Sequence, residues 1–151
     1  MVGINNYTAR VFIVCLTAFS VSDLATKTKN LKENRSGAIR EIQNVEEFNQ
    51  IMKDNKQPKV LKFFSPSCPH CIKVKPIVEK VAQDHDAVLF LELNAKNDAV
   101  DALFDTYHVN AYPTFVFLHG SGKIIDTHEG GSSKAALDKK VTSLEKTAQK
   151  S

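Results

Sequence analysis

A chain of 151 residues, 42% hydrophobic and 25% charged, has the length and balance of one ordinary globular domain and excludes a disordered polymer. Its formal net charge of +3 is too small to point to a nucleic acid or a charged membrane surface as partner. Three cysteines also exclude a mini-protein stapled by several disulfides.

In chain order, residues 1–22 read as a secretory signal peptide. Arg10 precedes the apolar run from Val11 to Phe19, and small residues at Ser20 and Ser22 place the cut near residues 20–25. The run is far short of the roughly 20 apolar residues that span a bilayer. Cys15 lies inside it, so its removal would leave Cys68 and Cys71 as the only thiols. Residues 23–37 are polar, rich in Lys and Asn and without apolar periodicity, and read as a flexible linker; Asn34-Arg35-Ser36 matches a glycosylation acceptor. One domain is expected over residues 38–151, in an extracytoplasmic compartment, with no C-terminal endoplasmic-reticulum retention signal.

Within the domain, a short strand is expected at Ile39 to Ile42. Asn44 can cap the helix that follows and Glu47 can reach back, with Val45, Phe48 and Met52 on one helical face until Lys56-Gln57-Pro58 stops it. Val60 to Phe64 is apolar apart from Lys62, as a central strand covered on both faces would be. The next helix runs from the cysteines to about His85, burying Val74, Ile77, Val78 and Val81, with a kink at Pro76. Val88 to Leu93 is a second buried strand, and Asp98 opens a short helix bearing Val100, Leu103, Phe104 and Tyr107. Thr114 to Leu118 and Lys123 to Thr127 form a hairpin around His119-Gly-Ser-Gly122, and a last helix from Ser133 to Gln149 buries Leu137, Val141, Leu144 and Ala148. We read the order as βαβαββα, an α/β fold with a central mixed sheet flanked by helices.

The chemistry concentrates at Cys68-Pro-His-Cys71. Two thiols three residues apart at a helix start lie on one face, within reach of a short-range disulfide. Cys68 at the helix mouth meets unpaired backbone N–H groups and the positive end of the dipole, which stabilise a thiolate; Cys71, one turn in, is more sheltered. Cys68 is therefore the attacking thiol and Cys71 the resolving one. Pro69 suits the opening turn, where its missing N–H has no partner to lose. An imidazole at His70 adds favourable electrostatics, and a stabilised thiolate makes the disulfide a stronger oxidant.

These residues carry a family resemblance. From about Ile39 to Ala148 the chain resembles the thioredoxin superfamily: residues 63–71, Phe-Phe-Ser-Pro-Ser-Cys-Pro-His-Cys, are similar to its active-site turn, Pro76 to the proline of its active-site helix, residues 110–115, Asn-Ala-Tyr-Pro-Thr-Phe, to its cis-proline loop, and Gly130 to the glycine before its final helix. Pro69-His70 resembles the dipeptide of periplasmic disulfide oxidases of the DsbA type. Those carry an inserted helical domain, for which the 42 positions from Cys71 to Pro113 leave no room. Tyr112-Pro113-Thr114 and Ser65-Pro66 are closer to protein disulfide isomerase catalytic domains, whereas Ser67 stands where both groups usually place Trp.

The resemblance implies a cis peptide before Pro113, with Tyr112 and Pro113 as a platform along which an extended substrate can pair. It also implies an acid six residues before the first cysteine and a Lys on the adjoining strand; here Lys62 and Glu92 hold those places, as if exchanged. A lysine in a central strand needs an ion partner, so Lys62 and Glu92 are expected to pair beneath Cys71, either with Glu92 or a water it holds moving the proton of Cys71, or for charge balance alone. The expected activity is thiol–disulfide exchange with cysteine-containing protein substrates and a redox partner protein, by a monomer without cofactor, metal or nucleic acid. A thioredoxin-like binding or chaperone module with little redox turnover is the alternative. A zinc site would need a second cysteine pair, and His85, His108, His119 and His128 lack ligand spacing.

Overall fold

The computed structural model describes residues 39–150. The expected signal and linker, with Cys15 and the Asn34 acceptor, lie outside these residues. The elements are β1 (Arg40–Glu41), α1 (Val45–Asp54), β2 (Lys59–Phe64), α2 (Pro69–Asp84), β3 (Leu89–Asn94), a 3-10 turn (Asp98–Val100) leading into α3 (Asp101–Thr106), β4 (Thr114–Leu118), β5 (Ile124–Glu129) and α4 (Lys134–Ala148). The full order is βαβαβαββα: the expected βαβαββα runs from β2 onward, and β1 and α1 precede it.

The strands form one mixed sheet in the order β1-β3-β2-β4-β5. β3 runs parallel to β1 and β2, while β4 is antiparallel to β2 and β5. β2 is flanked on both sides, as its near-continuous apolar run demands. β1 is shorter than expected, two residues on an edge.

Strand alternation sends successive side chains to opposite faces. Leu61, Phe63, Leu91, Leu93, Val116 and Leu118 join Phe48 of α1 and Leu103 and Phe104 of α3 on one face. Val60, Phe90, Phe115 and Phe117 join Val74, Val78 and Val81 of α2 and Leu137, Val141 and Leu144 of α4 on the other. Ile77 is only partly buried, and Ala148, at the last residue of α4, is not in the core. α2 continues through Pro76 to Asp84.

Local signals explain the helix starts. Asn44 Oδ1 accepts from Glu47 N at 2.8 Å, and Ser133 Oγ accepts from Ala136 N at 3.3 Å. Pro69 occupies the first turn of α2 behind Cys68 as N-cap, which supplies no capping side-chain bond. Gly122, at φ 87°, closes the β4–β5 turn, with His119 N donating to Lys123 O at 2.8 Å. Gly120 packs so closely on the Lys56 carbonyl that a Cβ would lie 1.9 Å from its oxygen.

Lys59 is a buried charge that periodicity does not announce. Its side chain is 0% exposed, and Nζ donates to Asn55 O at 2.7 Å and Gln57 O at 2.8 Å, holding carbonyls that α1 leaves open at its C-terminal end. Burial, helped by nearby Lys56, pulls its pKa from 10.5 to about 8. Below about 8 both folded and unfolded chains keep the proton. Between 8 and 10.5 only the unfolded chain does, so the contribution of Lys59 to stability rises with pH across that window. Cys71, held up by burial, contributes the opposite slope above pH 9. The difference in urea stability between the wild type and Lys59→Met should therefore rise between pH 8 and 10.5, by on the order of 1–2 kcal/mol.

Candidate active site

The site forms where β2 ends and α2 begins. Cys68 N donates to Ser65 O at 3.1 Å, closing the turn, and Cys68 O accepts the first helical bond of α2 from Ile72 N at 3.1 Å. Cys68 is partly exposed and Cys71 is buried; both are free thiols, near enough for each to act on the other's ionisation.

The surroundings pull the two thiols apart. Cys68 is held below its ordinary 9.0, first by the Cys71 amide, then by the Cys71 thiol and by the His70 amide. His70 therefore acts on Cys68 through its backbone N–H, while its imidazole is exposed. Burial pushes Cys71 up to about 11, against an opposing amide contact from Ser65 and the positive charge of Lys62.

On one side the pair faces the loop before β4. The Tyr112–Pro113 peptide is cis, and the Cys68 thiol donates to Tyr112 O at 3.5 Å. Thr114 Oγ1 donates to Ala111 O at 2.8 Å and Gly130 N to Pro113 O at 2.7 Å, bracing the loop from inside and from the end of β5. Gly130 takes φ 85°, a left-handed conformation that suits glycine. The Tyr112 ring meets Phe104 edge-on at 6.0 Å and stays partly open to solvent.

On the other side lies a cleft of about 450 Å³ between the turn, α2 and the ends of β1 and β3. Lys62 and Glu92 are directly opposite in the β2–β3 register, and Lys62 Nζ donates to Glu92 Oε1 at 2.7 Å. Their side chains are 3% and 13% exposed, so the pair is nearly sealed with Glu92 the wetter partner. Lys62 also lies over the Phe64 ring, 5.2 Å from its centroid. Cys71, Lys62 and Glu92 all line this cleft.

All eight residues singled out from sequence thus gather at one end of the sheet. The amide contact of Ser65 on Cys71, and Glu41 and Lys75 at the cleft, were not anticipated. A main-chain donor leaves no mark in side-chain identity; β1 had supplied the only hint that Glu41 would be close.

A sequence-family model described as Thioredoxin matches residues 40–143. The chain belongs to the thioredoxin family. Among solved structures, thioredoxin from Trypanosoma brucei brucei is 25% identical with a TM-score of 0.66, covering 74% of this chain and 95% of that one. Among curated proteins, protein disulfide-isomerase of Ricinus communis is 31% identical over 146 residues, 84% of this chain and 28% of its own length. Glutaredoxin-3 of Mus musculus is 28% identical over 105 residues, 69% of this chain and 30% of its own. The chain spans less than a third of either curated relative. It is a thioredoxin-family redox protein with the five-stranded thioredoxin fold.

The split between the thiols has a direct readout. In the reduced protein, iodoacetamide should modify Cys68 first, with a rate profile set below pH 9, and spare Cys71 until near pH 11. In Cys71→Ala the Cys68 profile should move upward, because the thiol contact from Cys71 is gone.

Proposed function

We propose that this protein is an exported thiol–disulfide oxidoreductase that exchanges disulfides with cysteine-containing proteins, in the oxidase or isomerase direction. The observation that carries the reading is the opposed environment of the two thiols, one stabilised as a thiolate beside the Tyr112–Pro113 loop, the other buried and held protonated. Export rests on the signal-like residues 1–22 and on the pair of cysteines that remains once they are removed.

In the oxidising direction a substrate thiolate attacks Cys68 Sγ of the protein disulfide, and the Cys68–Cys71 bond breaks. Its electron pair goes to Cys71, which takes up a proton. A second substrate thiolate then attacks the substrate sulfur of the mixed disulfide and releases Cys68 as a thiolate. In the isomerising direction Cys68 attacks first, and Cys71 resolves a mixed disulfide that outlasts its use. The substrate backbone lies along Tyr112 and Pro113. Stabilising the Cys68 thiolate stabilises the reduced protein, so the disulfide is oxidising.

Resolution needs Cys71 as a thiolate, against the burial that holds it protonated. Lys62 lowers that cost by its charge, and Glu92, bound to Lys62 and facing the cleft, receives the proton directly or through water. A redox partner protein resets the couple.

Cys68→Ser should abolish exchange with a disulfide-bonded protein, and Cys71→Ser should accumulate the mixed disulfide on a non-reducing gel. His70→Pro, which loses the amide that touches Cys68, should make the potential of the couple more reducing by on the order of 30 mV, whereas His70→Ala, which keeps it, should shift it less. An unchanged potential in His70→Pro would remove His70 from the tuning. Glu92→Gln should slow decay of the mixed disulfide by roughly tenfold or more near neutral pH. An unaltered rate across pH would leave the Lys62–Glu92 pair a purely structural one.

A further inference from the structure

The two sulfurs face different compartments. Cys68 Sγ looks onto the Tyr112 carbonyl, whereas Cys71, and not Cys68, lines the cleft on the opposite side of the turn. That cleft, at about 450 Å³, lies within the size range of small-molecule sites. Its walls include Phe64, Pro66 and Ile72, and its floor is the mutually satisfied Lys62–Glu92 pair. Among the described residues, what remains unpaired in charge at the cleft is one cation and one anion. Lys75 makes no ion pair among the described residues, and the Glu41 carboxylate has only the Asn94 amide at 3.3 Å. The cleft therefore offers one site for a carboxylate and one for an ammonium group beside a buried sulfur.

We infer that this cleft admits a zwitterionic low-molecular-weight peptide thiol, which reduces the Cys68–Cys71 disulfide by attacking Cys71 from behind. The inference rests on the oxidoreductase reading and adds a second entrance to the same couple. Thiol–disulfide exchange is in-line: the nucleophile approaches the attacked sulfur opposite the leaving sulfur. For attack on Cys71 that direction is away from Cys68, and the inference places it in the cleft that Cys71 lines. The incoming thiolate forms a bond to Cys71 Sγ, the Cys71–Cys68 bond breaks, and the electron pair leaves on Cys68. Cys68 is the better leaving group, because the Cys71 and His70 amides lower its pKa and favour its thiolate, while burial raises that of Cys71. A second small thiol then attacks the sulfur of the first, giving the small disulfide and a Cys71 thiolate that takes up a proton. Two thiols are oxidised and one protein disulfide is reduced. Protein substrates, too large for the cleft, are confined to Cys68, so the molecule separates its clients from its small reductant by size.

The reverse of the second step gives the test, with glutathione as probe. In a Cys68→Ser protein, glutathione disulfide should add to Cys71, detected as a mass increase mapped to that residue, at a rate that climbs with pH; burial still holds the Cys71 thiol up, although the raising effect of Cys68 is gone. Lys75→Glu on that background should slow the addition about fivefold, the worth of one exposed ion contact, while leaving addition from uncharged hydroxyethyl disulfide unchanged. No adduct on the folded protein, where the urea-unfolded chain gives one, overturns the inference; so does equal slowing of both probes by Lys75→Glu. If unsubstituted protein still exchanges disulfides with a protein substrate in those cases, the rear entrance alone fails. If it too is inert, the oxidoreductase reading fails with it.

Discussion

Lys62 can keep its charge in the centre of the sheet only because Glu92 stands opposite it. The pair ties β2 to β3 in one register, and a slip of a single residue would turn every side chain of the strand to the wrong face, stranding the ammonium among Leu61, Phe63 and their partners. It also fixes which face carries chemistry. Residues 60, 62, 90 and 92 point toward α2, so the same alternation that builds the core delivers a cation and a carboxylate to the underside of Cys71. A buried pair of this kind adds little net stability over an apolar pair of similar volume, and removing one partner is costly. Its place within the apolar stretch from Val60 to Phe64, facing the Cys71 cleft, fits a role beyond packing.

Above that pair, one helical turn separates two identical groups into unlike acids. Nothing about cysteine itself distinguishes residue 68 from residue 71. The difference is made by open amides at the helix mouth on one side and by loss of water on the other. Both effects follow from placing the N-terminus of α2 directly after a fully covered strand, with the loop before β4 folded over its edge. The scaffold does not hold the thiols in reserve. It sets them against one another.

Much of this was legible in the chain. The run from Val60 to Val81 announces strand, turn and helix through its change of period, and Asn44 with Glu47 announces the start of α1, although Glu47 reaches back to Gln43 N rather than to the cap residue. Lys62 called for a partner, and Glu92 proved to be it. Other features had no signature. The burial of Lys59 leaves no mark in the sequence, because lysines usually stay at the surface; its ammonium is held by two carbonyls past α1. The His70 effect on Cys68 runs through its amide, which every residue except proline possesses. The cleft is assembled from β1, β3 and α2, and its rim charges, Glu41 and Lys75, are far apart in the chain.

The bond from Gly130 to the Pro113 carbonyl joins the cis-proline loop to the point where the chain turns toward its final helix. α4 is anchored on the α2 face through Leu137, Val141 and Leu144, so the seat of that helix and the seat of the cis-proline loop are set by one short connection. The C-terminal helix is consequently no detachable tail. Anyone grafting a tag or a second module onto this end is handling a tether that reaches the mouth of the reaction chamber.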